Sequence, residues 1–126
     1  MVQTKMIMIF VDGLGIGQNS PFNPFLKANL PCWNHLVETY GYFPADACLG
    51  VPGLPQSATG QTSIYTGENA PAVLGRHFST RPTETLAGMI HRKNIFTALM
   101  EMGHSVTFAN VYTKEYLDRM QENPRG

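Results

Sequence analysis

Six consecutive apolar residues, Met6 to Val11 (MIMIFV), constrain this chain more than any other stretch of it. A run that mixes β-branched and aromatic side chains, with no polar residue marking an outer face, suits a strand covered on both sides, as in a parallel sheet. It is far short of the roughly 20 apolar residues that a membrane span takes. The chain start, MVQTKMIMIFVDG, has one lysine before the short apolar run and lacks the small-residue cleavage site of a secretory leader. Two further stretches read as strands, residues 42–50 (YFPADACLG) and 104–110 (HSVTFAN).

Candidate helices lie between them. Residues 31–40 open on Pro31 and stop before Gly41, with Trp33, Leu36, Val37 and Tyr40 on one face. Residues 57–65 run towards Gly67, and APAVLG adds one more turn. Two helices follow, at 83–92 and 94–103, the second offering Ile95, Phe96, Leu99, Met100 and Met102 as its apolar face. Thr113 caps a last helix starting at Lys114. Strands separated by helices predict an α/β fold, a mainly parallel sheet with flanking helices.

A length of 126 residues is that of one domain, and 43% hydrophobic content makes it globular rather than disordered. Only 14% of residues are charged, against about a quarter in ordinary domains. Either part of the surface is meant to be covered, by a partner or by further chain, or this is an unusually neutral small domain. The formal net charge is zero and no basic stripe is present, so nothing favours nucleic acid or an anionic membrane as partner. Cys32 and Cys48 form neither a CxxC pair nor a zinc spacing. Read as free thiols in a reducing compartment, they predict a cytoplasmic protein.

Asp12 sits where the first candidate strand gives way to a glycine-rich loop. In open α/β sheets ligands bind at that edge, and a carboxylate followed by glycines reaches a cation without crowding. The alternative is a turn aspartate bonded to its own backbone. Gly13, Gly15 and Gly17 imitate a dinucleotide fingerprint, but the third glycine would fall at Gln18, and Pro21 and Pro24 delay any helix. No P-loop motif is present.

Ser57 follows Pro55 at the N-cap or first turn of its helix, where free N–H groups and the dipole favour a phosphate. A serine hydroxyl at that spot lies near an electrophilic phosphorus, yet it needs a base or a metal to become a nucleophile. The alternative is an ordinary capping serine. No GxSxG surrounds it. Arg76 and His77, after a short turn, could meet an anionic substrate or simply form a solvated loop. No two histidines are spaced i, i+4, and His91-Arg92-Lys93 suits a helix C-terminus.

Taken together, MIFVDGLGIG, NPFLKANLPCWNHL and GLPQSATGQTSIYTG, spread over about residues 5–80, resemble the alkaline phosphatase superfamily. The likeness is to cofactor-independent phosphoglycerate mutases, phosphopentomutases and their relatives. It implies an alkaline-phosphatase-like α/β fold, two divalent metal ions (Mn, Zn or Mg) and a phosphoserine intermediate. It makes Asp12 a metal ligand and Ser57 both the nucleophile and a metal contact, with Thr59 the second candidate nucleophile.

The chain also departs from the pattern. Gln61 stands where many mutases have His, and Gln56 and Ala58 flank the serine where phosphoglycerate mutases have Asn and Glu. Substrate specificity is therefore open, as is mutase against phosphatase. Two metals take about six protein ligands, of which only Asp12 and Ser57 are matched. Asp46, Glu68 and Asp118 have no metal-site context.

The expectation is that residues 1–126 form the N-terminal portion of a longer metalloenzyme, an incomplete half-domain with little catalysis of its own. Arg76 and His77 are its tentative contacts to a phosphorylated small-molecule substrate. An uncovered face would drive self-association. The rival readings are a non-catalytic α/β module binding an anion or partner at the same edge, and a nucleotide-cofactor oxidoreductase.

Overall fold

The computed structural model describes residues 5–122. The first four residues, part of the stretch read for a leader, lie outside the described residues. After a 3-10 turn at Pro24–Leu26, α1 spans Pro31–Tyr40, α2 Ser57–Thr66, α3 Ala70–Leu74, α4 Glu84–Arg92, α5 Ile95–Glu101 and α6 Lys114–Glu122. These follow the helices expected from the sequence, because their ends are written locally. Pro31 occupies the first turn of α1, and Gly41 closes it at φ 72° with its N–H on the Val37 carbonyl. The side chains of Asn69, Thr83 and Asn94 accept from Ala72, Leu86 and Thr97 N–H groups, capping α3, α4 and α5. Thr113 Oγ1 accepts from Tyr116 N–H at the start of α6. No helix among the described residues is long and apolar enough to cross a membrane.

The sheet is where expectation fails. Among the described residues there is no strand at all, so the mainly parallel α/β half-domain read from the sequence is overturned. Met6–Val11 has no regular secondary structure, with Ile7 86% and Ile9 81% exposed. Residues 42–46 are irregular and 47–50 form a turn. There Cys48 and Gly50 N–H groups donate to the Asp46 carboxylate at 2.9 and 3.3 Å. Residues 104–110 form no strand either. The physical reason is that an apolar run specifies burial, not a neighbour. A parallel strand is stable only with partners on its edges and helices on both faces, and the described residues bring neither to Met6–Val11.

What forms instead is a small helical core around α2. Ala58, Ala70, Leu86 and Met89 are its buried apolar residues, with Leu74 and Phe78 packed against them. α2 touches α3, α4 and α5. Tyr65 of α2, Phe96 of α5 and Phe108 form an aromatic triangle with centroids 5.9 to 6.2 Å apart, which seats the 104–110 segment on the helices. By contrast α1 contributes no buried residue, and its apolar face, Trp33, Leu36 and Tyr40, is exposed. The chain exposes 10772 Å², where a compact monomer of 13.9 kDa exposes about 6,700 Å².

Candidate active site at the start of α2

The crowded hydroxyls of α2 have a structural explanation. Thr62 Oγ1, Ser63 Oγ and Thr66 Oγ1 donate to the carbonyls of Ala58, Thr59 and Thr62, each four residues back, at 2.7 to 3.0 Å. Two of these oxygens also accept from the returning chain: Ser63 from Ala70 N–H at 3.0 Å and Thr66 from Glu68 N–H at 3.1 Å. Thr59 Oγ1 donates to the Gln56 carbonyl and accepts from Phe78 N–H, both at 3.2 Å. Thr59, Ser63 and Thr66 stitch neighbouring segments onto a partly buried helix. They do not cap it. Thr59, with no solvent exposure and both roles of its hydroxyl committed, is not available as a nucleophile.

Ser57 is different. It is the first residue of α2, and Gln56 is the N-cap, without a side-chain cap bond. The Ser57 hydroxyl donates instead to Asp12 Oδ2, at 2.7 Å and 45 residues away in sequence. Of the two alternatives for each residue, neither the capping serine nor the self-bonded turn aspartate describes this pair. Asp12 reaches Ser57 from a turn in which Gly13 takes φ 72° and Leu14 N–H meets the Val11 carbonyl at 3.4 Å. Only a residue without a Cβ adopts that φ readily.

A cleft of about 350 Å³ opens beside Ser57, within the range of small-molecule sites. Gln61 and Tyr65 line it along α2, Ile90 from α4, Tyr116 from α6, and Arg81 from the loop before α4. The backbone of Phe78 fixes where that loop starts. Its N–H donates to Thr59 Oγ1 and its carbonyl accepts from Thr59 N–H, both at 3.2 Å. Tyr65 has its pKa raised above the usual 10.0, first by burial and then by the charge of Tyr112.

Arg76 and His77 do not line this cleft. The Arg76 guanidinium lies 5.3 Å from the Phe78 ring centroid. His77 Nε2 pairs with the Val51 carbonyl at 3.0 Å, tying the Pro-rich approach to Ser57 onto the later loop. The cation on the cleft is Arg81, which the sequence does not single out over Arg76. Its one local signal is a run of hydroxyls around an arginine before proline, Ser79-Thr80-Arg81-Pro82.

The metal expectation meets a shortfall. Among the described residues no three His, Cys, Asp or Glu side chains gather into a group that could hold an ion. Asp46 is used by its own turn, Glu68 pairs with Arg92 at 3.6 Å, and Asp118 pairs with Lys114 at 2.6 Å. Asp12 and Ser57 are two oxygen donors, and two donors do not make a site for ions that take about four to six ligands each.

No family model matches the chain, and no solved structure matches it. A 2,3-bisphosphoglycerate-independent phosphoglycerate mutase of Idiomarina loihiensis is 30% identical over 59 residues. That stretch is 47% of this chain and 12% of the mutase. The likeness is thus to a small part of a much longer protein.

Proposed function

We propose that this chain is part of an enzyme that transfers phosphoryl groups, with Ser57 as the residue phosphorylated in turnover. The observation that carries the reading is the 2.7 Å bond from Ser57 Oγ to Asp12 Oδ2. Two residues distant in sequence meet as hydroxyl and proton acceptor at the edge of a cleft. The partial likeness to a phosphoglycerate mutase supports the same chemistry.

In the proposed step Ser57 Oγ attacks the phosphorus of a phosphorylated small molecule in line with the leaving oxygen. The Oγ–P bond forms, the ester P–O bond breaks, and the serine proton passes to the Asp12 carboxylate. The departing alkoxide takes a proton from solvent water, and Asp12 returns its own proton to the solvent. Transfer of the phosphoryl group from Ser57 to a second hydroxyl makes a mutase, and transfer to water a phosphatase. Divalent ions, were further ligands to complete their sites, would supply charge neutralisation for the phosphoryl oxygens. To such a site this chain would contribute Asp12 and Ser57. The cysteines Cys32 and Cys48 are both free thiols, which supports a cytoplasmic setting. Neither nucleic acid nor membrane is among the proposed partners, in keeping with the zero net charge.

The test is to incubate the whole protein with phosphomonoesters and map phosphopeptides by mass spectrometry. A phosphate on Ser57, and loss of about a thousandfold or more in activity on Ser57→Ala, are expected. A Ser57→Ala protein with full mutase or phosphatase activity refutes the reading. The shortfall of metal donors favours one second reading, a non-catalytic module that binds an anion here. It would show phosphate binding without any phosphoserine.

A further inference from the structure

We propose that Arg81 is the residue that binds the phosphate group presented to Ser57. The inference rests on the reading of Ser57 as the phosphorylated residue and adds to it the charge that such a site requires. A phosphate approaching Ser57 Oγ comes within a few ångströms of the Asp12 carboxylate, which is bonded to that same oxygen. Like charges at that range repel strongly unless a cation offsets them.

Arg81 is the charged side chain among the residues lining the cleft, and the rest of the lining is neutral. Ser79, Thr80 and Gln61 add hydroxyl and amide donors around it. Three other cations have contacts of their own. Arg92 pairs with Glu68, Lys114 with Asp118, and Arg76 lies against the Phe78 ring. A guanidinium presents a planar fork of donors that matches two phosphate oxygens at once.

The position of Arg81 is held from both sides. Upstream, Phe78 is clipped to Thr59 through its N–H and its carbonyl. Downstream, Pro82 restricts the backbone of the residue before it to extended conformations, and Thr83 caps α4 by accepting from Leu86 N–H at 3.3 Å. The loop therefore leaves the first turn of α2 and returns to a fixed helix start, with Arg81 on the cleft between. A short, anchored loop loses less entropy on ordering an arginine than a mobile one would.

The probe is inorganic phosphate, titrated into the full chain and followed by NMR. The signals to follow are the Arg81 side-chain Nε–H and the backbone amides of residues 57–61 and 79–82. Saturable shifts confined to those groups are expected. Arg81→Ala should weaken binding about tenfold or more, as expected for a lost charge-assisted hydrogen bond. Arg81→Lys should fall in between, and Arg76→Ala should leave binding unchanged. Matching far-UV circular dichroism establishes that the variants are folded.

Undiminished binding by Arg81→Ala, absence of phosphate binding by the parent, or shifts mapping elsewhere overturns the proposal. The two readings fail separately. Phosphoserine forming at the normal rate on Ser57 of an Arg81→Ala whole protein sinks the role of Arg81 alone. Arg81-dependent phosphate binding in a protein that never becomes phosphorylated on Ser57 sinks the nucleophile and leaves the anion site.

Discussion

Replacing Thr59 by valine removes one oxygen from the centre of this fold and keeps the shape. Thr59 has no solvent exposure. Its hydroxyl gives one hydrogen bond to the Gln56 carbonyl and receives one from Phe78 N–H, both at 3.2 Å. The Gln56 carbonyl keeps its helical bond from Gly60 N–H at 2.9 Å, so that loss is small. The Phe78 N–H has no such second partner among the described residues and becomes a poorly solvated orphan. Leaving a fully buried donor unsatisfied costs about 1–3 kcal/mol, and for this part-buried one about 1 kcal/mol is expected. For a chain this size that lowers Tm by roughly 4 °C per kcal/mol.

Thr62→Val is the control. It is equally buried, at 1% exposure, but its hydroxyl only bonds back to the Ala58 carbonyl. Such back-bonds contribute little or slightly destabilise a helix, so a change within about 0.5 kcal/mol is expected. Urea melts of both variants decide the matter. Equal losses, or a neutral Thr59→Val, would refute the claim that Thr59 clips the later loop to α2. The same variant should also loosen the loop that carries Arg81, which broadened amide signals at residues 79–82 would show.

Two further outcomes follow from the fold. Tyr65 has its pKa raised by burial and then by Tyr112. Folded and unfolded chains both hold the proton below about pH 10, so the contribution is intact there. As pH climbs the unfolded state ionises first, and stability is lost as pH rises through the raised folded value. Tyr65→Phe should remove that part of the alkaline loss, read by melts alongside tyrosinate absorbance. Second, the excess of exposed surface, 10772 Å² against about 6,700 Å², should make the isolated chain self-associate in sedimentation velocity runs. Lysine substituted at Ile7 and Ile9, which are 86% and 81% exposed, should reduce that association, and an unchanged sedimentation coefficient would show that this segment is not involved.

Much of the local structure is legible in the sequence. Pro31, Gly41, Gly67, Thr83 and Asn94 mark helix ends because capping and positive φ are decided within a few residues. Asp12 and Ser57 stand out from their loop contexts and from a family resemblance. Their meeting across 45 residues is not written in either segment. Arg81 and Arg76 look alike as sequence. What separates them is the clip at Phe78, which turns the chain so that one cation faces the cleft and the other lies on a ring.

The strand reading shows the opposite limit. MIMIFV reports that its side chains are better out of water, and the sequence determines that much by composition alone. Whether such a run becomes a strand depends on backbone partners, which are non-local. Among the described residues none arrives, and the run stays irregular and exposed. The hydroxyls of α2 follow the same division. Their presence is a matter of sequence, but only the tertiary path of the chain makes Thr59 a clip, Ser63 and Thr66 acceptors for the returning backbone, and Ser57 a donor to Asp12. A hydroxyl's role is set by whichever group the fold brings within 3 Å or so.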